Sequence, residues 1–243
     1  GMAMKNILKI MLMMITIFTI AGSAVYAAEI PVSDQDQLIT SNDWTEISNL
    51  QDEMKKEEPD ATIDYDKALK VYVDCNLIKL QTADTKKLTS ALESANYVWV
   101  IPFKMEKTYG MFTVAKGLPL SEEAKSVLTK AEQEEVKNHA GKWMITETAE
   151  HTVEPYYDIL LEKREALSDC TRVVLVGSQP GMRQPVALGM NDETARIWIS
   201  LGYQYPVMEK IPETQNVESG VYSFDSVAEI SDTYIEDSEV STG

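Results

Sequence analysis

The chain is poor in the residue types that most often carry chemistry. It has only two histidines and two cysteines in 243 residues. His139 and His151 stand on either side of Glu147 and Glu150. That spacing crosses a helix end and a strand and matches no metal-ligand pattern, so no metal site is expected. There is no Gly-x-Ser-x-Gly elbow for a nucleophilic serine and no Asp-rich calcium loop, and no cofactor is expected. Paired carboxylates such as Glu134-Glu135 fall on a solvated helix face, which gives them no acid–base assignment. Positive charge is also scarce. Lys and Arg total 22 against 39 Asp and Glu, a net charge of −17. An acidic surface repels phosphate backbones and anionic lipid headgroups, so nucleic acid and membrane surfaces are disfavoured as partners.

Long apolar runs are absent except at the N-terminus. Lys5 and Lys9 precede residues 10–20 (IMLMMITIFTI), and Ala21-Gly22-Ser23 and Val25-Tyr26-Ala27 follow. A positive start, a short apolar run and small residues form the layout of a secretory signal peptide. The run is shorter than the ~20 residues a spanning helix needs. Residues 1–27 are therefore expected to be a signal peptide, cleaved after Ala27. The exported chain would be secreted or extracytoplasmic, without membrane contact beyond the signal. The leader carries two lysines and no acid, so the mature chain is more acidic still.

Export makes a disulfide available to Cys75 and Cys170. Such a bridge would close a loop of roughly 100 residues and stabilise by about 4–5 kcal/mol in the chain-entropy model. Cys75 also continues the alternation Leu69, Val71, Val73, which equally allows a buried free thiol acting as a small hydrophobe.

Along the mature chain, residues 28–40 are polar and without period, and read as a flexible arm. Ser41-Asn42-Asp43 offers N-caps for a short helix to Lys56, with Trp44, Ile47, Leu50 and Met54 on one stripe. Residues 68–80 (ALKVYVDCNLIKL) read as a strand. Thr82 or Asp84 caps a helix through Ala95. Residues 97–105 (YVWVIPFKM) read as a strand that Pro102 assigns to an edge or a bulge, and residues 111–115 as a third. A single helix is expected from Ser121 to His139, with Ala124, Val127, Leu128, Ala131 and Val136 facing inward. A strand over 143–148, a helix opened by Pro155, and apolar segments at 172–176, 185–188 and 195–201 complete the pattern. The order strand, helix, strand, strand occurs over 68–116 and again over 142–189.

These signals give an α+β fold with a mixed, largely antiparallel sheet and packed helices, in two β-α-β-β units. The expected organisation is an N-terminal arm and short helix over 28–66, a core domain over 67–207, and an acidic C-terminal tail over 208–243. In that tail Lys210 is the one base among many acids; the segment is expected to be largely disordered, with Val221-Tyr222-Ser223-Phe224 able to add one edge strand and disorder beyond about Ala228.

The glycines at 177 and 181 raise the question of a phosphate loop. Such a loop needs a helix N-terminus behind it. Here Pro185-Val-Ala-Leu-Gly189 is β-like, and Pro180-Gly181 has the proline and glycine of a β-turn. The segment is expected to be a hairpin connection.

Aromatic side chains are the remaining candidates for a site. Tyr203 and Tyr205 are placed on one strand face near Trp198, and Tyr156 opens a helix. Exposed tyrosine and tryptophan favour ligand contact because the rings are amphipathic and lose little entropy. Core packing with hydroxyls at the rim is the competing reading. The functional expectation is an exported, non-catalytic binding module for an extracellular protein, peptide or glycan. The alternative is an extracytoplasmic hydrolase that pairs Cys75 with a histidine. The order Cys75, His139, His151 is that of a cysteine peptidase, but Asp74-Cys75-Asn76 lies in a β-like run, where no helix terminus lowers the thiol pKa.

Overall fold

A computed structural model describes residues 29–231, apart from 152, 178, 180, 181, 183 and 204. The expected signal peptide and its cleavage site lie outside the described residues, as do Pro180, Gly181 and the chain beyond 231. No described helix is long and apolar enough to cross a membrane.

Among the described residues nine strands form one sheet. They are β1 (Thr62–Ile63), β2 (Leu69–Tyr72), β3 (Tyr97–Lys104), β4 (Tyr109–Lys116), β5 (Trp143–His151), β6 (Arg172–Val176), β7 (Val186–Met190), β8 (Ala195–Ser200) and β9 (Val221–Ser223). The order across the sheet is β5-β4-β3-β2-β6-β7-β8-β9, with β1 added on β3. Every pairing is antiparallel except β2 with β6. The sheet is thus two four-stranded meanders joined through their first strands. Among the described residues the helices include α1 (Trp44–Ile47), α2 (Gln51–Glu57), α3 (Thr85–Glu93), α4 (Glu122–Val127), α5 (Lys130–His139) and α6 (Tyr156–Glu162), with a further helical segment at 224–231. The chain has the α+β fold its patterning implies. The strand-helix-strand-strand order recurs as β2-α3-β3-β4 and β5-α6-β6-β7. Pairing groups the strands differently, because β5 closes on β4 and leaves β6 to β2.

Both faces of the sheet are covered, which is why β6 and β7 read as continuous apolar runs. Val174 and Val176 face one side, with Leu88 and Leu92 of α3. Val173 and Leu175 face the other, with Ile159 and Leu160 of α6. Over β3 and β4, Ile47 and Met54 of the N-terminal helices cover Trp99, Ile101 and Phe112.

Several local expectations are corrected. The strand expected over 68–80 stops at Tyr72, because Asp74 adopts a left-handed conformation (φ 55°) and turns the chain. Cys75 follows that turn and is not a strand residue. Pro102 sits in an interior strand. Its carbonyl accepts from Asp64 N–H, so its missing N–H also faces Asp64, just past the end of β1, and the ladder with β4 loses no bond. The helix expected over 121–139 is two helices. Leu128 is extended, and Thr129 caps α5: its hydroxyl accepts from Glu132 N–H and donates to the Glu132 carboxylate. Neither α4 nor α5 has a buried residue, and Val127 is 79% exposed. The inward face assigned to this segment therefore does not pack on the core.

The ends of the described chain depart furthest from expectation. Residues 29–40 are docked on the sheet. Ile30 and Leu38 are buried, Val173 N–H donates to Pro31 O, and Leu38 N–H donates to Ala68 O. At the other end, Val207, Met208, Ile211, Val221, Phe224 and Val227 are core residues. Residues 224–231 are helical and cover β8, with the Phe224 ring stacked on Trp198 at 5.6 Å between centroids. Mean composition hid this, because a few apolar residues at the right spacing bury a segment whose other side chains are acidic. The boundary expected at 207 falls inside the fold.

Candidate binding cleft

The connection between β8 and β9 builds the cleft. It leaves β8 through Gly202, whose φ of +80° and closeness to Val153 both demand glycine. It returns through Gly220, also left-handed, whose carbonyl accepts from Ser200 N–H. Between them run two 3₁₀ turns, Met208–Lys210 and Glu213–Gln215. Met208 and Ile211 are three residues apart and both dip into the core, as the three-residue period of that helix requires. Glu209 and Glu213 are left on the outside. The result is a cavity of about 800 Å³ between this loop and the end of the sheet.

Three tyrosine rings, Tyr203, Tyr205 and Tyr222, line the cavity, and Glu209, Glu213 and Glu218 stand around it. None of the three glutamates forms an ion pair among the described residues. Asn216 also lines it, and its Oδ1 is buried without a hydrogen-bond partner. This volume lies in the range of small-ligand sites.

The four aromatic residues singled out from sequence divide. Tyr203 and Tyr205 do share the cleft, but from a loop, since β8 ends at Ser200. Tyr203 is half-buried and its carbonyl accepts from Ser200 Oγ at 2.7 Å. Tyr205 is buried apart from its contribution to the lining, and its hydroxyl donates to Pro185 O at 2.5 Å. Burial raises its pKa above the ordinary tyrosine value. Trp198 and Tyr156 are core residues. Trp198 is fully buried against Phe224. Tyr156 opens α6 on the other face, 3.9 Å from Met111 Sδ, and burial is the first cause of its raised pKa, with Tyr203 adding to it. Sequence alone did not single out Tyr222, the glutamates or Asn216. Their signal was the length and charge of the connection after β8.

The cysteines are free thiols. Cys75 packs beside the core under α3, Cys170 beside the core under α6, and the sheet lies between those cores. The bridge that an even cysteine count permits is not made. The hydrolase pairing is not assembled either. Cys75 lies beyond the Tyr97 end of β3, whereas His151 pairs with Tyr109 near the Lys104 end. An eight-residue strand is about 25 Å long. His139 is exposed at the end of α5 and forms no hydrogen bond with Cys75. Burial raises the Cys75 pKa, which lowers its thiolate fraction. Among the described residues no group of three His, Cys, Asp or Glu side chains gathers as a metal site.

The glycine loop after β6 joins two antiparallel strands, as expected of a hairpin. Met182 N–H donates to Gln179 O at 2.9 Å around the two central positions. Gln179 is buried and clamps the loop, donating to Cys75 O and Gly177 O and accepting from Leu77 N–H.

A second polar cluster lies under the N-terminal segment. Asp36 is 2% exposed and accepts from Ser33 Oγ, Tyr72 Oη and both Nε and Nη2 of Arg172. Beside it, Lys70 is buried with Nζ 4.2 Å from the Tyr97 ring centroid and 5.4 Å from that of Trp99. Burial lowers its pKa against the opposing pull of Asp36 and Asp43. Asp43, expected as a helix cap, instead accepts from Tyr97 Oη and Trp99 Nε1. This cluster fastens the N-terminal segment to β2 and β6. Comparison with protein-family models, curated proteins and solved structures finds no match to this chain.

Proposed function

We propose that the protein is an exported, non-catalytic binding module that takes a peptide or glycan in the cleft between β8 and β9. The observation that carries the reading is the cavity itself, which is lined by three tyrosines and three glutamates at one end of the sheet. Aromatic rings on a supported loop give contact area at low entropic cost. Export rests on Lys5, Lys9, the apolar run and the small residues up to Ala27.

Peptide and glycan arrays probed with the wild-type protein and with Tyr203→Ala/Tyr222→Ala test the proposal. Both side chains are half-buried and pack beside the core, so melting temperatures are measured alongside and binding is compared where the variant stays folded. Ligands of the wild type should lose at least about tenfold in affinity, the effect of ~1.4 kcal/mol. Ligands held equally by the double variant would place binding elsewhere. Turnover of a bound ligand would replace the binding role with an enzymatic one.

A further inference from the structure

We propose that residues 212–220 form a flap on one side of the cleft and that Lys163 is its latch. The two halves of the connection between β8 and β9 are held differently. In the first half Tyr205, Val207, Met208 and Ile211 are buried in the core. In the second, no described side chain from Pro212 to Ser219 is buried, and Val217 is 58% exposed. Lys210 stands ahead of Ile211, in the fixed half, and has an interaction of its own. The next residue sealed by packing is Val221, at the start of β9. Backbone bonds of the flap run within it or to that anchor. Gln215 N–H donates to Pro212 O, Asn216 N–H to Glu213 O and Val217 N–H to Val221 O. Bonds of this kind hold a shape without fastening it to the sheet. A segment with little buried apolar surface opens at low free-energy cost.

The body of the protein reaches the flap at its far end. Ser200 N–H donates to Gly220 O at 2.8 Å, beside the Val221 anchor, where Gly220 is left-handed (φ 74°) and turns the chain into β9. Lys163 Nζ donates to Ser219 O at 2.7 Å. Lys163 closes α6, and its backbone N–H donates to Ile159 O and Leu160 O. The Ile159 and Leu160 side chains are buried, so the latch is mounted on a fixed support. The bond joins one donor on a flexible stem to one carbonyl, and in a half-buried setting water replaces it readily. The flap supplies Glu213, Asn216, Glu218, Ser219 and Gly220 to the cleft lining, whereas Tyr203, Tyr205 and Met208 come from the first half of the connection. Release of Lys163 therefore moves one wall of the cavity and leaves the other in place. The latch sets how wide the cleft stands by a motion that needs no ligand, so it goes beyond the binding role and does not depend on it.

Amide hydrogen exchange of the whole protein tests the latch in the wild type, Lys163→Met and Lys163→Arg. Methionine keeps an unbranched stem without the donor, and arginine restores a donor. Lifting the flap breaks the bond from Ser200 N–H to Gly220 O, so the Ser200 amide reports opening. In Lys163→Met this amide should exchange about tenfold faster, and a glutamate-specific protease should cut after Glu213 and Glu218 about tenfold faster. The amides of Val174 and Leu188, which face each other in β6 and β7, should keep their wild-type rates. Lys163→Arg should behave as the wild type does. An unchanged Ser200 amide in Lys163→Met would overturn the latch. Acceleration that extends equally to Val174 and Leu188 would mark a loss of global stability and overturn it too. A wild-type flap cut as fast as the unfolded chain would show that nothing holds it, against the proposal. Failure of Lys163→Arg to restore the rates would assign the effect to the lysine stem and refute the role of the donor.

Discussion

Replacing Asp36 with alanine should destabilise the protein far more than a surface substitution. The Asp36 carboxylate accepts four hydrogen bonds, at 2.7 Å from Ser33 Oγ and Tyr72 Oη and at 3.0 and 3.2 Å from Arg172. Its side chain is 3% exposed and that of Arg172 17%. Asp36→Ala strands the guanidinium with Tyr72 Oη as its remaining partner and takes the acceptor from the Tyr72 hydroxyl. Removing one partner of a buried pair costs about 3–5 kcal/mol. The partial exposure of Arg172 places this site at the low end, ~3 kcal/mol. For a chain of this length that is a fall in Tm of roughly 6–12 °C. Asp36→Ala/Arg172→Met removes both charges and should cost less than Asp36→Ala alone. The double-mutant cycle should then give a coupling of about 2 kcal/mol. Urea unfolding followed by tryptophan fluorescence measures all four proteins, and limited proteolysis should show residues 29–40 released first in Asp36→Ala. A loss below ~1 kcal/mol in Asp36→Ala, or additive effects across the cycle, would show that the pair does not hold the N-terminal segment.

Three further outcomes follow from burial and geometry. Phe224→Ala removes a ring stacked on Trp198 and should cost about 3–5 kcal/mol in the same urea assay; an effect near zero would return residues 224–231 to the solvent. Gly110→Ala would put a Cβ 2.0 Å from Phe103 Cζ and 2.6 Å from Ala149 O, so a cost of about 1–3 kcal/mol is expected, and an unchanged Tm would contradict this packing. Burial lowers the His151 pKa below its ordinary 6.5 against an opposing contribution from the Val153 backbone. The unfolded chain therefore binds this proton more readily, and stability should fall as pH drops below about 6.5 toward the lowered value. His151→Phe should flatten the stability profile there, and an unchanged slope would assign the titration to another group.

Much of the core was legible because local patterning and burial agreed. The apolar runs at 172–176 and 195–201, the inward stripe Ile47 and Met54, and the cap at Asp84 each follow from side-chain period or hydrogen-bonding chemistry within a few residues. The break in the helix at Thr129 was legible too, as Thr-x-x-Glu, but the apolar spacing across it concealed the cap. Tyr203 and Tyr205 read as a pair on one strand face; both line the cleft, but from a loop. Trp198 and Tyr156 were not separable from them, since an amphipathic ring suits a rim and a core equally and only the covering segment decides.

By itself the sequence determined the α+β class, most of the strand stretches, the acidic balance and the shortage of catalytic residue types. These depend on period, propensity and composition, which are local or additive. Tertiary structure alone decided that Asp36 meets Arg172 across 136 residues. It also decided that residues 208–231 belong to the core, that Cys75 lies apart from both Cys170 and His151, and that Asn216 and three glutamates surround the tyrosines. Each of these depends on which strands pair. The order β5-β4-β3-β2-β6-β7-β8-β9 sets neighbours far apart in the chain, and contacts of that kind leave no periodic trace in the residues that make them.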